Sequence, residues 1–212
     1  MKLKKPLSVG LLAALLATGC HTINDNDGGC HIYGTANPRF NGKKIYLVPL
    51  QGKVTAEQVD SFIVNNGQFE FHVAPGEMKI IRVDYHVRLG IEDLLVVAEP
   101  GRIEVSIDSV SYGKGTPQND SLQQWKEATK ANKMAYFHYI KQIRDAESAN
   151  QPKEAEQLKE QLDSIQRAYR RYSRQLAANM KEGIFHDFLK ENFPTTTKRR
   201  TAEGTIEEVP FD

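Results

Sequence analysis

The chain has 212 residues, with 28 Lys and Arg against 27 Asp and Glu, a formal net charge of +1, and 40% apolar residues. A near-neutral chain of mixed sign has no electrostatic footprint for nucleic acid, and the length suits one ordinary domain with an extension. Its two cysteines, Cys20 and Cys30, are too few for a disulfide framework and form no Cys-x-x-Cys redox pair.

At the start, Lys2, Lys4 and Lys5 precede an apolar run from Leu7 to Ala17. That run is shorter than the ~20 residues a membrane-spanning helix needs, so it reads as a secretory signal. Ala17-Thr18-Gly19 then leads into Cys20, and this order resembles the lipobox of bacterial lipoproteins, with Ala17 where many carry Leu. The resemblance implies cleavage before Cys20 and attachment of lipid (diacylglycerol and palmitate) at that residue. The residues alone also admit an ordinary signal peptide with an incidental cysteine. Residues 1–19 are therefore expected to be removed, and the membrane partner is expected to be reached through a lipid anchor at Cys20. Loss of the three signal lysines leaves 25 basic against 27 acidic residues. Lipidation would consume the Cys20 sulfur, leaving Cys30 without a partner and best read as a small, half-buried apolar residue.

Residues 20–29 are polar and end in Gly28-Gly29, a flexible tether. Residues 30–115 alternate like short strands. Asn66-Gly67 is a hairpin turn signal that would set Val64 opposite Phe69 and Phe62 opposite Phe71, with Phe62, Val64, Phe69, Phe71 and Val73 on a buried face. Lys79 to Leu89 alternates, with Ile81, Val83, Tyr85, Val87 and Leu89 on one side and Arg82, Asp84, His86 and Arg88 on the other. Asp93 to Ala98 is apolar on both faces, which suits a central strand. With Ile32 to Ala36, Lys44 to Pro49 and Arg102 to Asp108, about seven strands predict a compact antiparallel sandwich or barrel.

The period changes after Gly115. Thr116 is an N-cap candidate with Pro117 at the first helical position and Asp120 in the first turn. Helices are predicted over Gln118 to Ser148 and Lys153 to Lys181, parted by a polar break containing Pro152. On the first, Leu122, Trp125, Tyr136, Tyr139, Ile140 and Ile143 form a stripe interrupted by Thr129 and Asn132. On the second, Ala155, Leu158, Leu162, Ile165, Tyr169, Tyr172, Leu176 and Asn179 form a heptad seam. The fold class is thus α+β, a β-sandwich over 30–115 followed over 116–193 by an antiparallel helical hairpin and a short third helix. Residues 194–212 have little to bury and are expected to fray.

The segments HIYGT, KKIYLVP, VDSFIVNNGQFEF, EPGRIEVSID and GTPQND occur in one order. They resemble the Bacteroidota lipoprotein domain known as domain of unknown function 4369, from about His31 to Asp120. That resemblance implies a β-sandwich which commonly precedes a helical linker and a thioredoxin-like domain. Here nineteen residues without cysteine follow Phe193, so that domain's catalytic residues have no positions in this chain to be carried onto.

Candidate chemistry is sparse. His31 beside Cys30, His72 and His86 read as strand residues, and His138 and His186 lack a His or Cys one helical turn on, which speaks against zinc. Ser61 lies before an apolar strand without a nucleophile turn. Gly113-Lys114-Gly115-Thr116 lacks the longer phosphate-binding loop. Arg167, Arg170, Arg171 and Arg174 read as a solvated face, and the helical aromatics as seam. The reading is a non-enzymatic, lipid-anchored envelope protein on the outer membrane, at its periplasmic or surface face. It has no catalytic residues, no cofactor and no metal, and its helical hairpin contacts an unidentified protein. The alternative is a small-molecule or peptide-binding accessory to envelope thiol-redox proteins.

Overall fold

The computed structural model describes residues 28–83, 94–108, 110–201 and 204–210. The signal segment, Cys20 and nearly all of the tether lie outside them, as do residues 84–89 of the alternating segment, including His86.

Among the described residues eight strands precede the helices: β1 (Cys30–Ala36), β2 (Lys44–Pro49), β3 (Asp60–Ile63), β4 (Gln68–Val73), β5 (Glu77–Val83), β6 (Leu94–Ala98), β7 (Gly101–Ile107) and β8 (Tyr112–Lys114). They form two four-stranded sheets, ordered β4-β1-β7-β8 and β3-β2-β5-β6. The alternation seen in sequence places Ile32, Phe69, Phe71, Ile103, Val105 and Ile107 of one sheet against Ile45, Leu47, Ile81, Leu94 and Val96 of the other. Gly34 lies within this core because there is no space for a side chain: a Cβ there would stand 2.8 Å from the Val105 carbonyl oxygen and against the Phe69 ring. Most strand pairs are antiparallel as predicted, but β1 and β7 are parallel neighbours, and β8 has too few residues to signal itself.

Two strand expectations are corrected. Asn66 and Gly67 do form the turn, both at positive φ (50° and 69°), closed by reciprocal Asn65–Gln68 bonds of 3.1 and 2.9 Å. The strands it joins do not pair as a hairpin, however. Val64 bonds instead to Lys43 and Gly42, β3 pairs with β2, and β4 pairs with β1. The turn therefore stitches one sheet to the other, and Phe62 meets Phe71 edge to face at 6.4 Å across the sandwich. Phe69, Phe71 and Val64 are buried, while Phe62 and Val73 pack on them partly exposed. The second correction concerns β6, which among the described residues pairs only with β5. It is apolar on both faces because Leu94, Val96 and Ala98 enter the sandwich core while Val97 and Leu95 enter a second core under the helices.

That second core holds the helical layer. Helices α1 (Pro117–Ser148), α2 (Pro152–Met180) and α3 (Ile184–Asn192) bring Leu122, Trp125, Ala177, Phe185 and Leu189 onto Met78 and Val97 of the β3-β2-β5-β6 sheet. Burying each of the larger side chains contributes about 1.5–3 kcal/mol. Helices α1 and α2 pack together as a hairpin, with Pro152 at the first turn of α2. The predicted seam of α2 holds through Ala155 and Leu162, but at its far end Ser173 and Ala177 are buried while Tyr172 and Asn179 face outward. A straight helix advances 3.6 residues per turn and drifts from a 3.5-residue seam, and α3 covers the rotated face.

Beyond Pro194, where fraying is expected, β9 (Thr196–Arg200) and β10 (Ile206–Pro210) pair antiparallel. The pair buries almost nothing, and its register sets Lys198 opposite Glu208 and Arg199 opposite Glu207. Opposite charges across a strand pair supply what a core does not.

Candidate interaction surface

The start of α1 is built around one carboxylate. Glu99, buried at the end of β6, accepts the backbone N–H groups of Gln118 (2.9 Å) and Asn119 (3.2 Å) and a short bond from the Thr116 hydroxyl. Thr116 occupies the N-cap as predicted, yet its side chain makes no cap bond to the helix backbone; the negative group at this helix terminus is Glu99. Asn119 completes the joint. Its amide accepts from Val97 N–H and donates to Val97 C=O, both at 2.9 Å, so one side chain satisfies both backbone groups of Val97 in β6. Gln118 reaches the other way, donating to Glu99 at 3.0 Å and accepting from the Phe185 N–H of α3 at 2.9 Å. The helical layer is thereby oriented by the sheet.

The hairpin itself carries a polar ladder. Trp125 Nε1 donates to Ser173 Oγ at 3.2 Å, Thr129 and Tyr169 share a 2.7 Å hydroxyl bond, and Gln166 donates to Asn132 at 3.1 Å. Each step forward on α1 is matched by an equal step back on α2. Thr129 and Asn132, which interrupt the apolar stripe in sequence, are thus working members of the seam. Past them the contact becomes apolar, with Ile143, Ala146, Ala155 and Leu162 buried. Trp125 is wedged edge to face against Phe185, Phe188 and Phe193 at 5.7–6.3 Å, so it is a core residue.

From Thr129 to Ser148, α1 extends about 30 Å with α2 as its hydrogen-bonding neighbour. On this arm Met134 and Phe137 are 65% and 59% exposed and Tyr136 is 42% exposed, with Lys130, Lys133, Lys141 and Arg144 exposed around them. Met134 and Phe137 stand one helical turn apart, so the arm presents large apolar groups to water.

The remaining candidates resolve as follows. Cys30 is fully buried in the sandwich, and burial pushes its thiol up to about 11. Ser61 is exposed on edge strand β3, opposite Tyr46. Two amides of the Gly113–Thr116 segment are occupied, Gly113 N–H donating to Gln123 and Gly115 N–H to Asp120, and the helix terminus that would hold a phosphate holds Glu99. Arg167 and Arg171 are exposed, and Arg170 and Arg174 half-buried. His138 lies edge to face with Tyr139, and His186 Nδ1 is 2.8 Å from the Asp187 carboxylate. Sequence reasoning took His31 and His72 one at a time, whereas the fold pairs them, with ring centroids 4.6 Å apart. Among the described residues no three His, Cys, Asp or Glu side chains group around a metal position, and no helix is long and apolar enough to cross a membrane.

Two of the depressions among the described residues bear on ligand binding. One, of about 250 Å³, lies between the sandwich and α3, with Met78, Ile184 and Phe188 beneath Glu77, Asp187 and Glu191. The other, of about 500 Å³, is an open trough along Phe62 to Asn66 without a charged group. Neither brings a nucleophile to a base.

No curated protein and no solved structure matches this chain. Residues 30–122, the sandwich together with the first turns of α1 and the Glu99 joint, match the family model described as Domain of unknown function (DUF4369).

Proposed function

We propose that this chain is a non-enzymatic, lipid-anchored envelope protein, of the kind found in Bacteroidota, whose sandwich carries a helical arm that contacts another protein. The observation that carries the reading is the exposed Met134, Tyr136 and Phe137 on an arm held in fixed register and fixed orientation. A flexible binding segment would lose part of its affinity to ordering, and this arm is already ordered. The anchor rests on the order of charge, apolar run, small residues and Cys20 in the sequence. Small-molecule binding has less support, because the cleft of about 250 Å³ beside α3 is below the ~300–1,000 Å³ of ligand pockets, and the trough of about 500 Å³ is open to solvent and has no charged group to orient a ligand.

The test uses a photo-crosslinking residue at Phe137 in the full chain expressed in its native membranes. A discrete adduct is expected there and not from the same group at Glu57 on the sandwich, which is exposed far from the arm in sequence. Lys in place of Met134 should remove the adduct. Adducts equal at both positions, or none at Phe137, would refute the arm as the contact. Separately, Cys20→Ala should abolish lipidation and leave an uncleaved or mislocalised precursor; a variant processed to the parent's mass, with the parent's membrane partitioning, would refute the lipid anchor.

A further inference from the structure

Strands β1 and β4 run antiparallel with His31 directly opposite His72. Cys30, Ile32, Phe71 and Val73 occupy the core side of these strands, so both imidazoles leave the outer face of the β4-β1-β7-β8 sheet. The rings stand edge to face, 76° between planes, with centroids 4.6 Å apart. The His72 side chain is half exposed and its Nε2 is 3.8 Å from Glu70 Oε2. His31 is nearly buried and therefore held in place.

These distances can be compared with coordination chemistry. A metal about 2.0–2.1 Å from an imidazole nitrogen lies about 3.2 Å from that ring's centroid. Two centroids 4.6 Å apart then subtend about 90° at a shared metal, whereas a tetrahedral angle requires about 5.2 Å. An angle near 90° is the cis angle of tetragonal copper(II). Rotation about Cβ–Cγ aims a nitrogen of each ring while leaving the centroids nearly in place. A closer approach of Glu70 Oε2, 3.8 Å from His72 Nε2, would let it accept the second N–H of that ring, the arrangement that orients most metal-bound imidazoles. Arg102, opposite His31 on β7, is the cation that would oppose a metal, but its guanidinium is drawn over the Tyr33 ring at 4.2 Å.

The geometry points to a two-histidine copper(II) site made by His31 and His72 on the outer sheet face, with water in the remaining positions. Nickel(II) fits the same angle and binds more weakly. The proposal is independent of the arm and of the anchor.

The experiment titrates copper(II) chloride into the untagged full chain carrying Cys20→Ala, which leaves the buried Cys30 as its one thiol. Affinity is read by calorimetry and the ligand set by electron paramagnetic resonance. One copper per chain is expected, with coupling to two imidazole nitrogens. His72→Ala and His31→Gln should each weaken binding at least tenfold and leave one coupled nitrogen; His138→Ala should change nothing. His72→Ala tests the site even where His31→Gln does not fold, because His72 is half exposed. Parent-like affinity in His72→Ala, or a parent spectrum with fewer than two coupled nitrogens, overturns the site.

Discussion

Asn119→Ala is the sharpest probe of how the helical layer is fixed. Asn119 is 1% exposed, and its amide makes two 2.9 Å bonds to Val97 and a 2.8 Å bond to Thr116 Oγ1. Truncation leaves the Val97 N–H and C=O without partners at a site water does not reach, and it removes one of the donors to Glu99 at 3.3 Å. An unsatisfied buried polar group costs about 1–3 kcal/mol, and partial relaxation brings the expected total to about 2–4 kcal/mol. In a domain of this size that lowers the melting temperature by about 5–15 °C. The assay pairs thermal and urea denaturation, followed by circular dichroism, with amide exchange at Val97. Val97 exchange should accelerate more than exchange at Ile32 in the other sheet. Asn119→Asp keeps the acceptor, loses the donors and sets a second carboxylate beside Glu99, so it should cost more than alanine. If Asn119→Ala loses under about 0.5 kcal/mol with Val97 protection intact, the amide does not complete the β6 edge and the reasoning fails.

Leu162→Asp would bury a carboxylate in the arm, and desolvation costing several kcal/mol should melt the α1–α2 contact; helical circular dichroism should fall while the β signal persists, and an unchanged melt contradicts a packed seam. Cys30, with its thiol pushed up to about 11 from an ordinary value of 9.0, should resist iodoacetamide at pH 8 until the chain unfolds, read as a mass shift on the Cys30 peptide. The folded state holds that proton more tightly, so this contribution is fully present below pH 9.0 and is lost as pH rises through about 11. Lys126 shifts the other way, lowered to about 8 by burial and only partly restored by Glu127; below that pH the folded state carries a poorly solvated cation. Lys126→Met should therefore stabilise by roughly 1–3 kcal/mol at pH 7, and the gain should shrink between pH 8 and 10 in urea melts; a constant gain would refute the burial argument.

Legibility differed by element for physical reasons. The boundaries of α1 and α2 could be read to within one residue, because Thr116-Pro117 and Pro152 mark helix starts through local geometry. The Asn66-Gly67 turn was equally local and equally legible. Partner choice was not: whether β3 pairs with β4 or with β2 is decided by Val64 bonding to Lys43 and Gly42, about twenty residues away. The interruptions at Thr129 and Asn132 looked like defects because their partners, Tyr169 and Gln166, lie on another helix. Glu99 was visible only as part of a turn motif, yet it joins two of the quoted segments, EPGRIEVSID and GTPQND, in one hydrogen-bonded cluster. His31 and His72 illustrate the same limit, since only the register brings them together. The β9–β10 charge pairing could have been found by aligning Lys198-Arg199 with Glu207-Glu208 about the Gly204 turn.

The parallel pairing of β1 with β7 also governs when this chain can fold. The first strand stays without one of its two neighbours until Gly101 to Ile107 has been delivered, some seventy residues later. Contacts of such long sequence separation close slowly, because the entropy of the intervening loop must be lost first. A growing or threading chain therefore remains pliable until nearly all of the sandwich has arrived, after which α1 follows within ten residues of Ile107 and docks on Glu99. For a polypeptide that crosses a membrane before it folds, as the proposed export requires, this topology postpones knotting itself into a shape too wide to pass.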